Sequence, residues 1–293
     1  MSKVMRVVVL AVLCVGALLA AVPGQAWAAG PKFRIRLWGG GAYVSGGDIN
    51  AGLKGLGDYW LARDEYIGWN DKGAYSPAHL GFEFGTDVTF QITPNLGVGI
   101  GAGYVQASKT STISSSLGSY TEEYSMMPKL SAFVLRFLNV TYSLPLGRSL
   151  RFNIFAGGDY YFAKGSTNYR YDYPDGDWSL YDNTASGGGF GAHTGLGLDI
   201  ALGKFFSLFF EVGGRYARFG GLEGTYLYTE ESGYSNEEKG FMTFYEYKWQ
   251  SVWYGRAFVM EDEAPTGSSY RNQREAKIDF SGVAAVFGVS INF

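Results

Sequence analysis

Cysteine is almost absent: Cys14 is the only one in 293 residues, and it lies inside an N-terminal apolar stretch. Without that stretch the chain has no thiol, which excludes disulfides, thiol catalysis and thiolate metal sites. Leu13 stands before Cys14, where a lipoprotein signal needs a small residue, so lipidation is not expected. Histidine is nearly as scarce, with His79 and His193 alone; two histidines on separate segments make no metal-ligand cluster. Clustered Lys and Arg, the footprint of a nucleic-acid binder, are also missing. Beyond residue 28 no apolar run is long enough for a membrane helix.

The first 28 residues read as a cleaved signal peptide. Lys3 and Arg6 give a short positive start, residues 7–22 an apolar core, and Ala26-Trp27-Ala28 a small-x-small cleavage site. Residues 29–293 would then be the mature chain, read as one domain. Losing two of the 24 basic residues leaves 22 against 27 acids, a net charge of −5.

What remains is rich in glycine, with 43 residues, and in aromatics, at 17%. Both are laid out with a period of two, the signature of β-strands. At the C-terminus Val283, Ala285, Phe287, Val289, Ile291 and Phe293 share one face. Ala284, Val286, Gly288, Ser290 and Asn292 share the other. The same alternation recurs from Phe33 and over residues 80–92, 96–104, 150–162, 190–200 and 206–216. It is blurred over 126–142, where Arg136 interrupts apolar residues and a bulge is expected.

Eight strands follow, and their connections alternate in length. Thr93-Pro94-Asn95, residues 145–149 and Gly203-Lys204-Phe205 are short; residues 46–79, 109–123, 164–186 and 220–276 are long, polar and rich in Tyr, Gly and Ser. Thirteen residues at about 3.3 Å each, tilted by about 40°, climb roughly 30 Å, enough to cross an apolar membrane layer. Phe33, Phe90, Tyr142, Phe206 and Phe293 fall at the short-turn rim, and Tyr43, Tyr104, Phe162 and Tyr216 at the other, as interfacial rings do. The faces opposite the large apolar residues carry glycine and charge, which argues against a soluble barrel with a dry interior.

The pattern, the loop asymmetry and the terminal Phe293 resemble the eight-stranded outer-membrane barrels, the superfamily of the OmpA transmembrane domain, OmpX and OmpW-like proteins. The resemblance implies an all-β fold: a closed antiparallel transmembrane β-barrel, most simply of eight strands, with long extracellular loops. Ten strands are the alternative, since residues 225–229 and 241–260 also alternate, although they suit a hairpin standing above the membrane. It further implies localisation in the outer membrane, and contact with outer-membrane lipid and lipopolysaccharide. The barrel-assembly machinery would read Phe287, Val289, Ile291 and Phe293. A monomer is expected, with no cofactor, no metal, no nucleic acid and no catalytic residue.

Inward-facing charges are the candidate site: Arg34, Arg36, Glu83, Asp87, Arg151, Asp159, Asp199, Glu211 and Arg215. Confined charges need partners, and eight strands leave just room for side chains, so a salt-bridged plug is expected. Gly97, Gly99, Gly101 and Gly103 mimic a dinucleotide fingerprint but lie within a strand, where they make room in the lumen. His193 is expected beside Asp199 and Glu211; His79 with nearby Ser76 is the one place suited to acyl chemistry. The Tyr169-x-Tyr171-x-Tyr173 and Asp175-Gly176-Asp177-Trp178 segments fit either a binding surface or solvated loops. Three roles stay open: a structural or surface-interaction barrel with a plugged lumen, a narrow OmpW-like channel for small or hydrophobic molecules, or a lipid-modifying enzyme.

Overall fold

The computed structural model describes residues 33–203, 205–260 and 265–293. The expected signal peptide and Lys204 of the third short turn lie outside the described residues. In chain order the elements are β1 (Phe33–Tyr43), α1 (Asp48–Tyr66), β2 (Asn70–Gly73), β3 (Leu80–Gln91), β4 (Leu96–Ser108), β5 (Ser111–Leu117), β6 (Tyr120–Pro145), β7 (Leu150–Asp172) and β8 (Trp178–Ala201). Then come β9 (Phe206–Tyr216), β10 (Arg218–Phe219), β11 (Glu223–Glu230), β12 (Ser235–Trp249), β13 (Val252–Met260), β14 (Tyr270–Glu275), β15 (Ile278–Asp279) and β16 (Gly282–Asn292).

Antiparallel pairings run from β1 through β3, β4, β6, β7, β8, β9 and β16, and back to β1. The ring has eight strands, not ten. It closes over Arg34↔Asn292 to Ala42↔Ala284, with Phe293 N–H donating to the Phe33 carbonyl at 2.9 Å. Closure leaves no free edge among these strands. Exposure then alternates as the sequence pattern requires: in β16 Val283, Phe287 and Val289 are exposed, while Val286, Ser290 and Asn292 are buried. The bulge expected around Arg136 is there. The β4–β6 and β6–β7 registers both shift: the first leaves Phe137 and Leu138 unpaired opposite Ile100, the second skips Phe137 alone.

The long connections carry regular structure of their own, the expected hairpin above the membrane among it, and more strand and helix than their polar composition suggests. Strands β6, β7 and β8 run for 26, 23 and 24 residues, carrying the wall far past the length needed to cross a membrane. Most of residues 164–186 is strand. Residues 241–260 form two strands rather than one, because Gln250 and Ser251 adopt positive φ of 45° and 68° and turn β12 into β13. Residues 46–79 hold α1. Its Ile49, Leu53 and Leu56 are buried with Trp60 alongside, a 4-3-4 spacing that marks one helical face. Glycines dilute that signal, yet they set its packing: a Cβ on Gly52 would stand 2.5 Å from the Ala257 Cβ of β13.

Placed this way, α1, β13, β15 and Phe280 fill the upper half of the ring with apolar side chains. Ala42, Ile49, Val105, Tyr161, Ile278 and Phe280 belong to one buried cluster. The interior is therefore dry above and charged below, whereas the sequence suggested glycine and charge throughout. The missing apolar filling comes from the inserted segments and not from the strands.

Candidate functional site

The lower interior is built on the inward positions of β1, where Arg34, Arg36 and Trp38 succeed one another. Arg34 donates to Asp199 at 2.8 Å and to Asn292 at 3.0 Å. Arg36 donates to Glu211 and lies 3.8 Å from the Phe209 ring centroid. Arg215 donates to Glu83, and its Nε to the Phe280 carbonyl at 2.8 Å. Each of these acids and arginines is more than nine-tenths buried as a side chain, so each charge exchanges its hydration for its partner.

Arg136, which the sequence reading left out of the network, belongs to it. Its guanidinium lies 3.4 Å from Asp87 and 4.3 Å from the Trp38 ring centroid. The register shift at residue 137 keeps it inward, and the lone charge in a blurred strand was the available signal. His193 bonds to Asp159 at 2.9 Å and sits 3.4 Å from Asn139, so its partner is on β7 and is neither Asp199 nor Glu211. Arg151 is not in the network. It is exposed at the short-turn end of β7, opposite Asp199 in register, where the ring meets solvent.

Glycines accommodate the large inward side chains. A Cβ on Gly85 would lie 2.5 Å from the Trp38 ring, on Gly157 2.6 Å from the His193 ring, and on Gly191 2.7 Å from Tyr161. Gly103 of the four-glycine tract likewise faces Trp38. Between the charges and the apolar cluster lies a cavity of about 50 Å³, lined in part by Trp38, Arg136, Asp159, His193, Glu211 and Arg215. Its wall mixes charged and apolar side chains, and it is large enough for water. Buried Arg36 Nε, Trp38 Nε1, Asp199 Oδ1 and Ser290 Oγ have no protein partner, and they line the same half of the interior.

Beyond the ring, a second set of cations holds the inserted segments. Arg274 clamps Asp48 at the start of α1, an acid well placed at a helix N-terminus. Arg63 donates to Asp64 at 2.8 Å, Glu122 at 3.1 Å and the Tyr124 hydroxyl at 2.5 Å. Trp60, Tyr124 and Tyr171 stack at 4.5 and 4.6 Å. Arg256, buried over Tyr59 at 4.8 Å, donates to the Gly255 carbonyl; burial lowers its pKa, with the neighbouring tyrosines opposing. Tyr169 and Tyr171 are thus core residues of an ordered head. His79 is stacked on Tyr43 at 4.9 Å with Nδ1 2.8 Å from the Val44 carbonyl, while Ser76 is held through its backbone by Ser111. No group of three or more potential ligands gathers among the described residues.

Outside, Leu80, Phe190 and Phe287 are 77%, 73% and 70% exposed, and Phe84, Ile100, Leu196 and Phe210 continue the band. Phe33, Phe90, Phe206 and Phe293 border it at the short-turn rim, Tyr43, Phe162 and Tyr216 at the other, all exposed. An apolar belt outside and charge inside a closed ring is the inverse of a soluble protein. The fold is a transmembrane β-barrel.

No family model and no curated protein matches the chain in sequence. Solved structures that overlay on it include three outer-membrane proteins. OprG from Pseudomonas aeruginosa shares 11% identity over 92% of this chain and 99% of its own, with a TM-score of 0.33. A major outer membrane protein from Thermus thermophilus shares 14% over 87% and 99%, at 0.38. The outer membrane protease OmpT from Escherichia coli shares 9% over 92% and 99%, at 0.35.

Proposed function

We propose that this chain is a non-enzymatic outer-membrane barrel whose lumen is closed and whose ordered head is a surface presented outside the cell. The short turns would face the periplasm and the extended β6–β8 wall the exterior, the usual asymmetry of such barrels. The observation that carries the reading is the two-level filling of the lumen. Ion pairs occupy the lower half, and the apolar cluster around Tyr161 and Phe280 seals the upper half. An ion crossing that cluster would give up its hydration with nothing to replace it.

A narrow channel is the second reading, favoured by the cavity beside Arg136, Asp159 and His193 and by the unpartnered Trp38 Nε1 of its wall. Planar-bilayer recording on the refolded protein decides between the two. The closed barrel gives no steady single-channel current in symmetric salt; a steady, ion-selective current would reverse the order.

A further inference from the structure

The segment that follows α1 is held by a hydroxyl with too few hydrogens for its partners. Ser115 on β5 is fully buried, and its Oγ lies 2.6 Å from Asp64 Oδ2 at the end of α1 and 2.6 Å from Asp71 Oδ1 on β2. A serine hydroxyl has one hydrogen to give, and an ionised carboxylate has none. With both acids ionised, one of these two contacts would be oxygen against oxygen with no hydrogen between them. Asp64 already accepts from Arg63 at 2.8 Å. Among the described residues Asp71 forms no ion pair.

We propose that the Asp71 carboxyl carries a proton when β2 is docked, donating it to Ser115 Oγ while Ser115 donates to Asp64, so that the strap around β2 is a proton-dependent latch. Little else holds it. The strand is Asn-Asp-Lys-Gly with three of its four residues exposed, it lies between Gly68 and Gly73 in positive φ, and it pairs only with β5. The charged and titratable groups around Asp71 are Arg63, Asp64 and Glu65 from α1 and Lys72 from its own strand. β5 contributes only the serines 114–116, and β6 adds Glu122 and Tyr124 behind Arg63. Burial pushes Asp71 above the ordinary aspartate value; Asp64 and Glu65 add to the rise, while the Ser115 hydrogen bond and Arg63 oppose it. A carboxyl raised in the docked state favours docking below its ordinary value, and that contribution is lost as pH rises through the raised one. Between the two values the opening constant grows by about tenfold per pH unit. Release would free the α1 turn whose Arg63 braces Tyr124 and Glu122.

Amide exchange of residues 70–73, corrected for intrinsic rate, tests the latch on the full chain in detergent with EDTA between pH 4 and 8. Wild-type protection is expected to fall as pH rises. Asp71→Asn, whose amide donates to Ser115 at any pH, should keep it flat; Ser115→Ala should lose it at every pH. Unchanged protection in β7 and β8 confirms that each variant is folded. Parallel slopes in wild type and Asp71→Asn, or a flat wild-type profile, overturn the proposal. So does protection that EDTA removes at every pH, which would mean that a cation and not a proton bridges the two acids.

Discussion

Arg215 on β9 reaches past β16 and β1 to donate to Glu83 on β3, so one ion pair ties together strands that are 132 residues apart in sequence and not neighbours in the ring. Such a bond exists only once the ring has closed. Like the β1–β16 ladder it therefore reports on closure, and it does so across two intervening strands.

Removing one partner leaves the other charged and buried. Glu83→Gln or Arg215→Met should each destabilise the barrel by about 3–5 kcal/mol. The double replacement should cost much less than the sum, because no orphan charge remains. A double-mutant cycle on unfolding in lipid or detergent measures the coupling; additive single effects would mean the pair does not form.

Phe280 is fully buried, with its ring 5.8 Å from that of Tyr161, in the cluster that seals the lumen. Phe280→Ala should cost about 3–5 kcal/mol. Combined with Tyr161→Ala it should give single-channel current that wild type lacks. A silent but folded double variant would show that the seal lies elsewhere.

Phe293 is exposed on the rim, and its backbone closes the ring onto Phe33. If the assembly machinery reads Phe287, Val289, Ile291 and Phe293, deleting Phe293 should lower the amount of folded barrel in cells. Refolding of purified protein in detergent should change less. Heat-modifiable gel migration scores both, and an equal loss in the two settings would place the defect in stability and not in recognition.

Alternation alone was enough to find the eight ring strands, because a period of two fixes which side chains share a face before any partner is chosen. The short turns at Thr93-Pro94-Asn95 and residues 145–149, and the disturbance near Arg136, were legible for the same local reason. Face, however, does not determine partner. His193 met Asp159 rather than Asp199 or Glu211, and Arg151 fell at an open rim, because the stagger of neighbouring strands sets the height at which each inward group meets the others. The helix was obscured by its glycines, whose purpose shows only where Gly52 meets Ala257. The apolar seal was invisible from the strands, since Ile49, Ile278 and Phe280 reach the lumen from segments that a local reading treats as loops. Sequence determined which residues turn inward; the closed ring decided which of them touch, and what lies over them.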